Sequence, residues 1–246
     1  MPAFENGMVC GADGLEFDVR LSRDGVAVVI HDPTVDRTTN GTGDIAALTT
    51  AELAALDAGY HFTRDGAFPF RGRGIGVPAL RDVCARFPAV PLLVEMKIAS
   101  DALAAAVVKE IHAVDGVDRI TVGSFHQGAI DAVRKIEPRL RTGADTDEIK
   151  SEMTRALFGR TPKAGRFHSF QVPELFTGIR IVTEEFVTRA HQAGITVIVW
   201  TVDREDDIRR LLDWGVDGII TDRPDIAVPA VHAWYGERQA ATGPSR

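Results

Sequence analysis

Short apolar runs alternate with helical patterns along most of this chain, in the order that implies parallel strands joined by crossover helices. Beyond residue 90 the strand candidates are Leu92 to Met96, Ile120 to Ser124, Leu140 to Ala144, Ser169 to Val172, Thr196 to Val202 and Gly218 to Thr221. Helical stretches lie between them, among them Ala102 to Ala113, Ala129 to Ile136, Glu184 to Ala193 and Asp206 to Trp214. Ser100 with Asp101, and Thr183 with Glu185 behind it, are start signals; Gly194 and Gly215 are stop signals. At 246 residues and 45% hydrophobic content the chain suits one large domain, a size that α/β barrels reach as a single unit. Together with Leu15 to Leu21, the candidates fall one short of the eight strands of the common closed (β/α)8 TIM-type barrel. Pro2 to Cys10 reads as a helix leading into the Leu15 strand, so the absent strand is expected upstream of Met1. An open sheet is the alternative, at the cost of an uncovered inner face and edge. The barrel domain is expected over 1–235, with an irregular glycine-rich loop from Ala58 to Val77 and a frayed tail from Gly236.

Near the start of this fold, Glu16-Phe17-Asp18 precedes an Asp24-Gly25 turn and a return run ending in His31-Asp32. Asp-Gly between β-branched apolar runs signals a hairpin, here a β-hairpin extension after the Glu16 strand. Glu16 and Asp18, two apart, share a face, and a fold about Asp24-Gly25 sets His31 roughly opposite Glu16. A lone Glu-x-Asp is more often a solvated surface pair. Val28-Val29-Ile30, however, runs directly into His31 as a buried strand does, and buried carboxylates need partners. A metal ion satisfies that need.

Functional residues of a parallel barrel come from the carboxyl ends of its strands. At one such end Glu95 and Lys97 share a face. Taken alone they read as a salt bridge; beside Glu16 and Asp18, Glu95 is a third oxygen ligand and Lys97 a cation for an anionic substrate. Three carboxylates suit Mg²⁺ or Ca²⁺, and no Cys/His cluster points to zinc. Trp200, near another strand end, reads as core or as pocket wall. Asp222 reads as a helix cap, and the six remaining histidines, His126 included, as structural or surface residues.

Composition limits the partners. A formal charge of -7 argues against nucleic acid as the main partner. The two cysteines, Cys10 and Cys84, read as small apolar core residues and give no disulfide framework. No run of about 18 apolar residues indicates a transmembrane helix, and Met1 is followed by an amphipathic pattern with no secretory leader. A cytoplasmic location is the expectation, with any targeting signal upstream; oligomeric state is not legible.

In order and spacing the motifs resemble the glycerophosphodiester phosphodiesterase family. They are Glu16-x-Asp18-Val19, Asp24-Gly25, His31-Asp32, Asp36-Arg37-Thr38-Thr39 with Gly41 and Gly43, Glu95-x-Lys97, Ser124-Phe125, Trp200-Thr201-Val202 and Thr221-Asp222-x-Pro224. The resemblance implies an α/β barrel with a metal at Glu16, Asp18 and Glu95, His31 as one of two acid/base histidines, and Lys97 near the substrate phosphate. Trp200 is expected to contact substrate. The family's opening His-Arg-Gly strand has no counterpart here, which implies impaired hydrolysis of glycerophosphodiesters to sn-glycerol 3-phosphate and an alcohol. Two alternatives stand beside this reading: a sphingomyelinase D-like lipid phosphodiesterase, and a degenerate barrel that binds a phosphodiester or a partner protein.

Overall fold

The computed structural model describes residues 1–157, 160–163 and 165–242. Its elements run α1 (Pro2–Cys10), β1 (Leu15–Leu21), β2 (Ala27–Val29), α2 (Thr50–Ala55), α3 (Leu80–Arg86), β3 (Leu92–Met96), α4 (Asp101–Ala113), β4 (Ile120–Gly123) and α5 (Gln127–Ile136). Next come β5 (Arg141–Thr142), α6 (Thr146–Leu157), β6 (Ser169–Pro173), β7 (Leu175–Phe176), β8 (Ile179–Arg180) and α7 (Glu184–Gln192). The last are β9 (Thr196–Trp200), α8 (Glu205–Asp213), β10 (Gly218–Ile219) and α9 (Pro224–Thr242). Among the described residues no helix is long and apolar enough to cross a membrane. The chain divides into two compact units: Met1 with Gly14–Arg141, and Pro2–Asp13 with the residues from Thr142 onward.

In the first unit the strands are hydrogen-bonded in the order β2-β1-β3-β4. β1, β3 and β4 are parallel, and β2 returns antiparallel to β1. Side chains alternate strictly. Leu15, Phe17 and Val19 of β1 are buried, as are Leu92, Val94 and Met96 of β3 and Ile120 and Val122 of β4. Leu103, Val107 and Ile111 of α4 and Ile130 and Val133 of α5 add to this core, each buried apolar side chain contributing about 1.5–3 kcal/mol. The opposite face of β1 carries Glu16, Asp18 and Arg20, all half-buried.

The hairpin forms as expected, centred on Asp24. Gly25 takes φ +75°, open to glycine at no steric cost. The Asp24 carboxylate accepts from the Ser22 hydroxyl at 2.7 Å and from the Thr50 N–H at 2.9 Å, tying the turn to the start of α2. The glycine-rich segment beyond α2 is irregular up to α3, as its composition predicted.

The second unit has parallel strands in the order β10-β9-β6, with Gly143 bridged in parallel to Ser169 and the short β7–β8 hairpin following β6. Phe170, Val172, Val187, Val197, Val199, Ile208 and Leu211 form its core. Several strand candidates are shorter than their apolar runs. β9 ends at Trp200, and Val202 beyond it keeps one bond to the Ile220 carbonyl at 3.0 Å. Helix α6 was not legible. The frayed tail expected from Gly236 is helical as far as Thr242, and residues 243–246 lie outside the described residues. Tertiary anchors explain the difference: Trp234 Nε1 donates to Asp213 at 2.8 Å, and Arg238 pairs with Asp213 at 2.9 Å. Cys84 is buried as expected, whereas Cys10 is half-buried.

Candidate active site

The register of β1 against β3 sets Asp18 beside Glu95. Glu16 lies two residues before Asp18 on the same face, and Lys97 two after Glu95. One carboxylate oxygen each from Glu16, Asp18 and Glu95 falls within 4.8 Å of the others. Lys97 Nζ reaches Asp18 Oδ1 at 2.9 Å and Glu95 Oε1 at 2.7 Å. The Lys97, Asp18 and Glu95 side chains are only 15%, 19% and 18% exposed, so these charges interact in a partly dry setting. Burial pushes the Glu95 carboxyl above its ordinary value despite the hydrogen bond and charge from Lys97. On Lys97 burial acts to lower the value, but Glu95 and Asp18 together outweigh it and hold the ammonium above its usual range.

Three carboxylates against one ammonium leave the cluster with an excess of two negative charges when all are ionised. Buried Glu95 Oε1 has Lys97 as its charge partner and no other hydrogen-bond donor among the described residues. Convergent, hard oxygen donors with spare acceptor capacity fit a divalent cation of the Mg²⁺ or Ca²⁺ kind.

Val19 pairs with Val29, and the Ile30 N–H donates to the Asp18 carbonyl at 2.9 Å, so the last bond of the ladder lies at Asp18 and the strand pairing stops short of Glu16 and His31. His31 follows directly on this last backbone bond, with its imidazole 61% exposed and its charge felt at Glu95. Its Nδ1 lies 2.7 Å from Asp32 Oδ1. Arg37 grips the same carboxylate, Nε to Oδ2 at 2.5 Å and Nη2 to Oδ1 at 3.0 Å. Hydrogen bonds from Arg37 and then His31 hold the Asp32 carboxyl well below the usual carboxylate range. Arg20, next along the polar face of β1, donates from Nε to the His31 carbonyl at 2.8 Å.

Further side chains fix the strand end that carries Glu95 and Lys97. The Ser124 hydroxyl, buried beyond β4, donates to the Met96 carbonyl at 2.7 Å and accepts from the His126 N–H at 3.1 Å. His126 stands at the N-cap position of α5, with no capping bond from its side chain. The Phe125 ring lies 5.9 Å from Lys97 Nζ, at the outer limit of a cation–π contact. The structure thus brings Glu16, Asp18, His31, Glu95 and Lys97 together within the first unit. Trp200 belongs to the second unit, half-buried at the end of β9 across from Pro173. There Asp203 accepts from the Thr221 hydroxyl at 2.8 Å and the Asp222 N–H at 2.9 Å, and Thr221 rather than Asp222 accepts from the Arg223 N–H. Arg20, Asp32, Arg37, Ser124 and Phe125 carried no assigned role in the sequence. Arg20 continues the Glu16, Asp18 alternation, and the other four lie within the motifs of the family resemblance.

The model of the glycerophosphoryl diester phosphodiesterase family matches residues 1–226. A glycerophosphodiester phosphodiesterase of Caldanaerobacter subterraneus subsp. tengcongensis is 33% identical over 93% of this chain and 90% of its own. Among solved structures, a glycerophosphodiester phosphodiesterase from Agrobacterium tumefaciens superposes with TM-score 0.72 at 26% identity, covering 93% of this chain and 90% of that one. An Oleispira antarctica phosphodiesterase, solved in complex with the product sn-glycerol-3-phosphate, has the same fold with TM-score 0.72 at 22% identity, covering 94% and 89%. The fold class is the α/β barrel type that the strand order predicted.

Proposed function

This chain belongs to the glycerophosphoryl diester phosphodiesterase family, and we propose that it hydrolyses glycerophosphodiesters to sn-glycerol 3-phosphate and an alcohol with the help of a divalent cation. The convergence of Glu16, Asp18 and Glu95 within 4.8 Å, with Lys97 bridging two of them, carries this reading. These three carboxylates would hold the ion, Mg²⁺ or Ca²⁺. When bound, the ion supplies Lewis-acid charge to the phosphoryl oxygens.

The chain's own residues do the rest. In hydrolysis the water oxygen forms a bond to phosphorus, the bond from phosphorus to the alcohol oxygen breaks, and one proton passes from water to the departing alkoxide. Lys97, kept protonated by its two carboxylates, places a positive charge at the strand end where charge on the phosphate grows. His31 moves a proton at Nε2, either to the leaving alkoxide or from the attacking hydroxyl. The substrate is a small-molecule phosphodiester.

The test is release of glycerol 3-phosphate from glycerophosphocholine, with Mg²⁺ or Ca²⁺ and with chelator. Activity that chelator abolishes and either ion restores supports the proposal. A folded chain that binds the ions yet cleaves none of several glycerophosphodiesters refutes it.

A further inference from the structure

We propose that Asp32 and Arg37 are positioning residues for His31, forming a fixed relay in which Arg37 locks Asp32 and Asp32 locks the imidazole with Nε2 as its reacting nitrogen. The proposal rests on the hydrolase reading above for its chemistry, but its geometry stands apart from it. Asp32 Oδ1 can only accept, so the His31 ring nitrogen 2.7 Å away carries the proton and the neutral imidazole keeps its lone pair on Nε2. Asp32 is itself held by both oxygens. Arg37 binds Oδ2 through Nε at 2.5 Å and Oδ1 through Nη2 at 3.0 Å, a planar fork that fixes the carboxylate in rotation.

A simple surface salt bridge between Asp32 and Arg37 would leave the imidazole out of the contact. Here Oδ1 takes both the ring nitrogen and the guanidinium, so the orientation of the ring depends on the fork. Exposure of 61% for the imidazole and 65% for Arg37, against 20% for Asp32, puts the carboxylate between two solvent-facing groups. The remaining charged neighbours act differently. Arg20 on β1 holds the His31 backbone carbonyl and not its ring, and Glu95 on β3 interacts with the ring only through its charge. Asp32 is thus the side chain hydrogen-bonded to the imidazole, and Arg37 the one that keeps it there.

The experiment compares the full chain with Asp32→Asn, Arg37→Gln and Arg37→Lys by two readouts. One is kcat and KM on glycerophosphocholine. The other is the tautomer of the His31 imidazole, read without substrate from the NMR shifts of its two ring nitrogens. Asp32→Asn is expected to lower kcat about 10- to 100-fold with KM within about twofold. It also replaces the single tautomer, protonated at Nδ1, by a mixture, because the acceptor that fixed it is lost. Arg37→Gln lowers kcat less and mixes the tautomers in part, because the fork no longer holds the carboxylate. Arg37→Lys keeps a charge without the fork, so kcat stays below that of the parent chain. Unchanged kcat and an unchanged tautomer in Asp32→Asn overturn the relay. So does a loss of rate that merely follows the folded fraction, with the tautomer as before. If the parent chain cleaves nothing yet the tautomers shift as described, the relay stands and the hydrolase reading falls.

Discussion

Two groups of charges sit close together in the first unit, and their carboxylates respond in opposite directions. In the cluster at the ends of β1 and β3, burial wins: Glu95 is pushed up although Lys97 lies 2.7 Å from it. In the loop after β2, hydrogen bonding wins: Asp32 is driven far down by the Arg37 fork and by His31. Glu95 shares one buried ammonium with Asp18, whereas Asp32 takes a two-bond guanidinium fork and an imidazole that both face solvent, so the difference lies in the burial of the whole group and in the number of its donors. Where solvent is excluded, a carboxylate that keeps its charge does so at a cost, and a further cation is welcome. Where solvent reaches, a well-aligned guanidinium satisfies the carboxylate and leaves it available to orient a neighbour.

The largest effect that would break this comparison is on activity. Glu95→Gln is expected to lower hydrolysis of glycerophosphocholine about 10²- to 10³-fold and to weaken Mg²⁺ or Ca²⁺ binding in a calorimetric titration. His31→Ala should reduce kcat about 10²- to 10⁴-fold with cation binding intact. Equal loss of cation binding in both variants would mean that the two groups form one site and not two. Stability separates them next. Removing the Lys97 ammonium leaves Asp18 and Glu95 facing each other, so Lys97→Met should cost about 1–3 kcal/mol in chelator, the figure for a buried pair discounted for its partial exposure. Saturating divalent cation should restore part of that. Arg37→Gln on the exposed fork should cost less than about 1 kcal/mol. Urea unfolding of the two variants side by side is the check, and a larger cost for Arg37→Gln would contradict the ordering.

The smallest effect is the sharpest, because its sign differs between the groups. Glu95 has a raised value in the folded chain, so its ionised form opposes folding, and that penalty disappears as pH falls through the raised folded value. Asp32 has a lowered value, so it contributes stability above the ordinary carboxylate range, and the contribution is lost as pH falls toward the lowered folded value. In chelator at pH 7, Glu95→Gln should therefore be slightly more stable than the parent chain and Asp32→Asn slightly less. Both differences should shrink on acidification. Unfolding curves from pH 7 down to about pH 4 read this directly, and differences of the same sign would refute it.

Much of the fold and most of the site are legible in the residues, for physical reasons that hold locally. The period-two alternation of Leu15, Phe17 and Val19 against Glu16, Asp18 and Arg20 survives in the structure because one face of β1 meets the core and the other does not. Caps at Ser100 and Thr183 stand where their side chains accept the Leu103 and Phe186 N–H groups. Other features depend on distant partners. Helix α6 is mostly polar, with only Ile149, Met153, Ala156 and Leu157 as apolar residues, and α9 runs through Gly236 because Trp234 and Arg238 reach Asp213. Arg37 follows His31 by six positions in a loop of no regular period, so nothing in the spacing ties it to Asp32.

By itself the sequence determined the alternating α/β order, the hairpin, and which acids share a face, since side-chain direction along a strand follows from backbone geometry alone. Only the tertiary structure decided the register that sets Asp18 beside Glu95, the backbone bond from Ile30 to Asp18 that ends the hairpin ladder, and the fork that binds Arg37 to Asp32. Those depend on which backbone groups pair across the sheet and on how far water is excluded. Both are settled by residues far apart in the chain.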